Sequence, residues 1–472
     1  MRDISYDYLE KIRDILLEEG HSIGSLRYHV ATFGCQMNAR DSEKLRGMLE
    51  YAGFSESPDE DCDIVIYNTC TVRENANQKV YGRLGELKGI KKKNPFMKIV
   101  LCGCMMEEKA EEERIKKSYP FVDIVFGTMN LSDFPRLLYQ NLKYEEKQYE
   151  VTPIDRKNDE LLLSKIKSDP ILPTKRKYPF KSGVNITYGC NNFCTYCIVP
   201  FVRGPERSRR KEDILDESRA LSKDGVIEIM LLGQNVNSYN DPGDKTTFPM
   251  LLRSVEEIEG IERIRFMTSH PKDLSNELIE VMSASKKLCR HIHLPLQSGS
   301  TKVLCEMNRH YTKESYLSLV DRIKNKLPDI SLTTDIMVGF PGETEEDFLE
   351  TCDVVKRAGF DSAFTFIYSK RDGTPAADRR DQIDETVVHE RFDRLLSLIH
   401  EKSSENSKRF VGQTLPVLVE EKNSHDQFLV TGRLSQNAIV HFKGDESLIG
   451  RIVPVTIKES HDFYFFGEPA QS

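Results

Sequence analysis

The stretch GVNITYGCNNFCTYC, residues 183–197, runs an alternating apolar segment directly into three cysteines, Cys190, Cys194 and Cys197. Alternation at period two reads as a β-strand, which puts the cysteines at its C-terminal end. Working outward, the same strand pattern recurs at VIEIMLLGQ (226–234), RIRFMTS (263–269), HIHLPLQ (291–297), SLTTDIMVGF (331–340) and SAFTFIYS (362–369). Helical spacing fills the intervals, as in TKESYLSLVDRIKN (312–325) and EEDFLETCDVVKRAG (345–359), and a helix over 395–409 closes the series. Six such repeats predict a partial (β/α)6 barrel, with its active site at the C-terminal ends of the strands.

Upstream, RYHVATFGC (27–35), DIVIYNTC (63–70), KIVLCGC (98–104) and VDIVFGT (122–128) alternate with helical stretches. That order predicts an α/β domain with a doubly wound parallel sheet. Downstream, QTLPVLVEEK (413–422), HDQFLVTGRL (425–434), AIVHFKG (438–444), RIVPVTIKES (451–460) and DFYFFGE (462–468) are short alternating segments between turns, as in a small antiparallel β-barrel. The expected organisation is an N-terminal helical extension at 1–26, the doubly wound domain at 27–145, a linker at 146–175, the (β/α)6 domain at 176–409 and the β-barrel at 410–472. No run approaches the roughly 18 apolar residues of a membrane span, and the opening segment has no apolar signal core, so the expectation is a cytoplasmic protein without a membrane partner.

Three thiolates within eight residues suit an iron–sulfur cluster, but a four-iron cluster has four corners. One iron is left open, and an open iron chelates the amino and carboxylate groups of S-adenosylmethionine. A structural zinc site would need a fourth protein ligand close by, and neither His nor a further Cys follows at the usual spacing. Cys35, Cys70 and Cys104 each come just after one of the first three N-terminal strands. In a parallel doubly wound sheet those ends share one edge, so a second cluster is expected there; the alternative is three buried core thiols. Cys62, Cys102, Cys289, Cys305 and Cys352 lack such a pattern and read as core or surface thiols. His291 and His293 alternate along one strand and read as packing or substrate contacts.

The formal net charge of −8 excludes simple whole-surface attraction to nucleic acid. Residues 171–211 run the other way, with nine Lys and Arg, among them Arg203, Arg207 and Arg209, against the single acid Glu206. Beside an active site this patch would guide a phosphate backbone; alone it would be a solvated basic face.

CxxxCxxC with Tyr196 before its last cysteine, backed by six βα repeats, resembles the radical-SAM superfamily. From about residue 27 onward the chain resembles the methylthiotransferase family: FGCQMN (33–38), YNTC (67–70), CGCM (102–105), YGCNNFCTYCIVPFVRGPERSR (188–209), LLGQNVNSY (231–239), LPLQSGS (294–300) and GFPGET (339–344) occur in family order. The tail is similar to a TRAM domain, an RNA-binding β-barrel. The resemblance implies two [4Fe-4S] clusters, a radical one on Cys190, Cys194 and Cys197 and an auxiliary, sulfur-carrying one on Cys35, Cys70 and Cys104. One S-adenosylmethionine would methylate that sulfur, and another would give the 5′-deoxyadenosyl radical that activates C2 of an adenine.

Within the family, NTCTVRENANQKVYGRLGEL (68–87) and VRGPERSR (202–209) are most similar to the branch acting on N6-isopentenyladenosine at position 37 of tRNA. Methylthiolation of C2 is then the implied activity. Other branches modify threonylcarbamoyladenosine or an aspartate of a ribosomal protein, and a non-catalytic iron–sulfur RNA-binding protein is the alternative of a different class. By position, Gly233, Gln234, Asn235, Gln297, Ser298, Gly339 and Gly342 are expected at the cofactor, and Arg203, Arg207 and Arg209 at RNA. The chemistry also requires an electron donor and a sulfur or cluster donor, neither of which the sequence identifies.

Overall fold

The computed structural model describes residues 4–71, 74–154 and 172–470. The chain divides into two compact units. Unit 1 is Met1–Lys177 with Tyr188–Asn191 and Cys197–Arg209, and unit 2 is Tyr178–Thr187 with Asn192–Tyr196 and Arg210–Ser472.

Unit 1 is built on six parallel strands, β1 (Arg27–Thr32), β2 (Ser55–Glu56), β3 (Ile64–Thr69), β4 (Lys98–Gly103), β5 (Ile124–Phe126) and β6 (Gln148–Glu150), in the order β2-β1-β3-β4-β5-β6. Around them lie α1 (Ile4–Glu18), α2 (Gln36–Tyr51), α3 (Glu74–Lys93), α4 (Lys109–Ser118) and α5 (Phe134–Tyr144). The period of two sorts side chains to opposite faces. Tyr28, Val30, Ile64 and Ile66 pack with Leu9 and Ile12 of α1, Met48 of α2 and Leu137 of α5. Val65, Tyr67, Ile99 and Leu101 pack with Leu84 of α3 and Ile115 of α4. Helices therefore cover both faces, as the doubly wound pattern predicts. Cys102 lies in the first of these layers and is buried.

The reading at 146–175 falls mostly on residues 155–171, outside the described residues. Its first residues hold β6, which pairs with β5 as an edge strand. β6 is only three residues, Gln148, Tyr149 and Glu150, with Tyr149 packed on the α3 and α4 layer, so it is too short to show a strand period. At the other end Leu172 is buried in the α2 layer, and the Lys175 amide donates to Glu43 O at 2.9 Å.

In unit 2, β7 (Lys181–Asn185) is followed by the two-residue strands β8 (Thr187–Tyr188) and β9 (Arg207–Ser208), the latter grouping with unit 1. The series continues with β10 (Glu228–Leu232), β11 (Arg263–Phe266), β12 (His291–His293), β13 (Ser331–Val338) and β14 (Ser362–Ile367). β7, β10 and β11 form one parallel sheet and β12, β13 and β14 another, bridged in parallel between Ile264 and Leu288. Helix Lys313–Lys326 is capped by Thr312 and helix Glu345–Ala358 by Thr344, each through a capping box, and the latter stops at left-handed Gly359. The closing helix spans Glu385–Ser407, starting ten residues before the expected 395 because Asp384 caps it there.

β15 (Thr414–Lys422), β16 (Leu429–Leu434), β17 (Ile439–Lys443), β18 (Ile452–His461) and β19 (Tyr464–Pro469) close a barrel around Val417, Val430, Val440, Phe442 and Phe465. It is antiparallel except for the parallel pair β17 and β19. It docks on the N-terminal ends of the (β/α)6 strands. Arg263 donates to Arg433 O and Pro416 O, Arg265 donates to Leu434 O and Ser435 O, and Lys181 meets Glu420. The opposite, C-terminal ends are left to other groups.

Candidate functional site

In unit 1 the strand order reverses at β1, whose neighbours β2 and β3 lie on either side of it. Such a switch point opens a crevice beyond the C-terminal strand ends. Cys35 caps α2 after β1, Cys70 follows β3, and Cys104 opens a 3₁₀ turn after β4. A Cβ on Gly34, whose φ is +148°, would lie 2.7 Å from Cys70 Cβ and 3.2 Å from its Sγ. Only glycine lets the two loops approach so closely.

A buried polar network fixes this edge. Asn38 Nδ2 donates to Thr69 O at 2.8 Å, Asn68 Nδ2 donates to Asn38 O at 2.8 Å, and the Cys35 thiol donates to Asn38 Oδ1 at 3.3 Å. Burial pushes the Cys104 thiol up to about 12, opposed most by the Arg203 guanidinium, with Cys70 and Cys35 adding to the rise. Cys104 thus sits within electrostatic reach of both Cys70 and Cys35. Among the described residues no three His, Cys, Asp or Glu side chains gather around a single metal ion. A four-iron cluster takes one thiolate per iron, and three sulfurs set on three neighbouring strand ends fit that requirement.

The CxxxCxxC loop is shared by both units. In unit 1 the Cys190 amide donates to Gly204 O at 3.2 Å, and the Glu206 amide to Asn191 Oδ1 at 3.0 Å. After Cys197 comes the short helix Val199–Val202, and Ile198 and Val202 pack on Cys104. In unit 2, buried Cys194 accepts from Arg309 Nη1 at 3.4 Å, while Arg309 Nη2 donates to Pro295 O. Thr195 N donates to Met307 O, and Asn308 Nδ2 donates to Asn192 O and Phe193 O. Arg309 is a group the sequence reading missed, because nothing local marks it.

All seven expected cofactor residues stand beyond C-terminal strand ends of unit 2. A Cβ on Gly233 would strike Thr187 Oγ1 at 2.0 Å. Asn235 donates to Asp273 at 2.7 Å, and Gln234 lies between these two positions in the loop after β10. Gln297, at φ +67°, bonds through its backbone to Asp335 and Met337 of β13. Ser298 Oγ accepts from the Ser300 amide. Gly339 and Gly342 both have left-handed φ, +77° and +79°, and frame the turn that presents Glu343. Around this mouth Thr187 Oγ1, Asn235 Oδ1, Ser269 Oγ, His270 Nε2 and Tyr368 OH are buried without a hydrogen-bond partner among the described residues. Orphaned buried polar atoms cost roughly 1–3 kcal/mol each, so the mouth fits a ligand rich in amino, carboxylate and hydroxyl groups, as S-adenosylmethionine is.

His291 and His293 share the Thr333 hydroxyl at 2.9 and 3.0 Å, and His293 Nε2 lies 3.3 Å from Asp335 Oδ2. β13 thus supplies a carboxylate partner that the sequence did not reveal.

Three family models match: the radical SAM superfamily over residues 184–355, the uncharacterized protein family UPF0004 over 27–127, and the TRAM domain over 408–470. The tRNA-2-methylthio-N(6)-dimethylallyladenosine synthase of Lachnoclostridium phytofermentans is 60% identical across 94% of this chain and 95% of its own length. The protein of the same name from Thermoanaerobacter pseudethanolicus is 50% identical across 97% and 96%. The chain belongs to the methylthiotransferase family of radical-SAM enzymes. A [4Fe-4S] cluster and S-adenosylmethionine follow from that membership. Among solved structures, the radical S-adenosylmethionine methyltransferase TsrM of Kitasatospora setae shares the fold, with a TM-score of 0.52 at 14% identity over 75% of each chain.

In this methylthiotransferase the expected RNA-contacting arginines are buried: Arg203, Arg207 and Arg209 are 6%, 5% and 8% exposed. Arg203 Nε donates to Cys104 Sγ at 3.2 Å, and Arg207 Nη2 donates to Arg203 O at 2.9 Å. Arg203 and Arg207 thus spend donors on protein acceptors, and all three side chains lie largely in the interior.

His270 gives the methylthiotransferase a pH signature. Burial, with the charges of Arg309, Lys272 and His310 adding to it, pushes its imidazole down to about 2. As pH falls below 6.5 the unfolded imidazole takes a proton that the folded one refuses, so stability declines by at most about 1.4 kcal/mol per pH unit. Glu343, raised by burial to about 7, acts in the opposite sense below that pH. Urea midpoints of His270→Gln should therefore fall less steeply between pH 6.5 and 4.5 than those of the wild type.

Proposed function

We propose that this chain methylthiolates C2 of N6-isopentenyladenosine at position 37 of tRNA, giving the 2-methylthio product. The observation that carries the reading is the 60% identity, across 94% of the chain, to a relative named for that product. Cys190, Cys194 and Cys197 would hold the radical cluster. Cys35, Cys70 and Cys104 would hold an auxiliary one, and the mouth from Gly233 to Gly342 would receive S-adenosylmethionine. When bound, these groups supply the electron, the sulfur, the methyl group and the hydrogen abstraction that side chains lack. C2 of an adenine has neither an acidic proton nor a leaving group, which is why a radical route is required.

The protein's own residues do the positioning. Arg309 orients Cys194 by a charge-assisted bond, and the Asn38 and Asn68 network sets Cys35 against the end of β3. The orphaned hydroxyl, amide and imidazole groups at the mouth are pre-placed for a polar ligand, so little reorganisation accompanies binding. A prenyl group calls for apolar surface. Of the four apolar residues after Cys197, Ile198 and Pro200 are buried, whereas Val199 is half-buried and Phe201 is 36% exposed, so Val199 and Phe201 are the accessible candidates to meet it.

Purified protein with reductant, sulfide and S-adenosylmethionine should add methylthio to tRNA bearing isopentenyladenosine-37 and react poorly with tRNA lacking it, as read by nucleoside mass spectrometry. Phe201→Asp should lower that modification more than cofactor cleavage without RNA. Modification of a threonylcarbamoylated tRNA or of a ribosomal protein in place of the prenylated tRNA would overturn the substrate. The electron donor and the sulfur or cluster donor enter this assay as chemical substitutes.

A further inference from the structure

Within unit 1, the segment that leaves Cys197 goes straight to Cys104. Ile198 and Val202 pack on that thiol, and the Val202 carbonyl accepts from Thr128 Oγ1 at 3.2 Å. Arg203 then ends the segment with its guanidinium buried. Its Nε donates to Cys104 Sγ at 3.2 Å, its Nη2 donates to Asn38 Oδ1 at 3.0 Å, and its Nη1 lies 3.6 Å from Asp41. Asn38 Oδ1 also accepts from the Cys35 thiol. One interior cation therefore reaches two of the three auxiliary cysteines, one directly and one through Asn38. It stands six residues after Cys197.

We propose that Arg203 is a positioning residue for the auxiliary cluster: it orients Cys104 and Asn38 and, as a fixed positive charge with a donor on a ligating sulfur, raises that cluster's reduction potential. This rests on the assignment of Cys35, Cys70 and Cys104 given above. A cluster gains negative charge when it takes an electron. A hydrogen bond to its sulfur and a nearby cation in a poorly screened interior both favour the reduced form. Arg203 differs from a merely buried ion pair because its fork spans a sulfur and an amide oxygen as well as Asp41. Lysine keeps the charge but loses that geometry.

The test uses the full-length chain with Cys190, Cys194 and Cys197 replaced by Ala, so that only auxiliary iron is seen. Arg203 is left, changed to Lys, or changed to Met. After anaerobic reconstitution, iron is counted and the potential is followed by electron paramagnetic resonance during dithionite titration. The expected order of potentials is Arg, then Lys, then Met, with Met the most negative. Loss of iron from the Met form alone, with the Lys form loaded and shifted negative, equally supports the proposal. Equal potentials in three loaded proteins would overturn it and leave the cluster assignment standing. Loss of both iron and thermal unfolding cooperativity from the Lys and Met forms together would also overturn it, reducing Arg203 to core packing. A background protein with Arg203 intact that binds no iron would overturn the assignment and the proposal together.

Discussion

Replacing Cys190, Cys194 and Cys197 together by alanine is expected to leave a folded protein with roughly half its iron and no reductive cleavage of S-adenosylmethionine. The loss follows from the open iron: without three thiolates there is no cluster to present it. The fold should survive because these residues lie in a loop beyond the strand ends and not in the packed layers. Among the described residues Arg309 is a buried group left short, since it loses Cys194 but keeps Pro295 O and Tyr311 OH as neighbours. An unmet buried donor costs about 1–3 kcal/mol, a lower melting temperature and not collapse. Iron analysis and the release of 5′-deoxyadenosine check both halves. Complete loss of iron with the fold preserved would count against independent clusters.

The complementary replacement, Cys35, Cys70 and Cys104 by alanine, is expected to keep cofactor cleavage and abolish sulfur insertion, again with roughly half the iron. These residues belong to the β1, β3 and β4 edge of unit 1, whereas the orphaned polar atoms of the cofactor mouth belong to unit 2. Cleavage draws on the second set, insertion on both. Cleavage without RNA, set beside methylthio nucleoside formed with prenylated tRNA, separates the two. If cleavage vanished as well, the division of labour would be wrong.

Much of this was legible in the linear chain. Alternating runs such as SLTTDIMVGF became β13, and Thr312 and Thr344 became helix caps, because period and capping chemistry act within a few residues. The position of Cys35, Cys70 and Cys104 after successive strands was visible too, and the sheet places those ends side by side. The helix α5 and the edge strand β6 were not foreseen. α5 is one short amphipathic stretch, and β6 offers only three residues, held as a strand by pairing with β5 and by the packing of Tyr149 on the α3 and α4 layer.

Residue chemistry and local period alone determined the six βα repeats, the terminal barrel and the three-cysteine loop. Only the tertiary structure decided which charged groups serve those cysteines. Arg203 looked like one member of a basic run, yet its partners Cys104 and Asn38 are 99 and 165 residues away, and Arg309 meets Cys194 across 115. A charge in a sequence says only that desolvation will be costly. Whether it stays in water or is buried against a thiol depends on which strand ends the fold brings beside it, and that is set by packing among residues far apart in the chain.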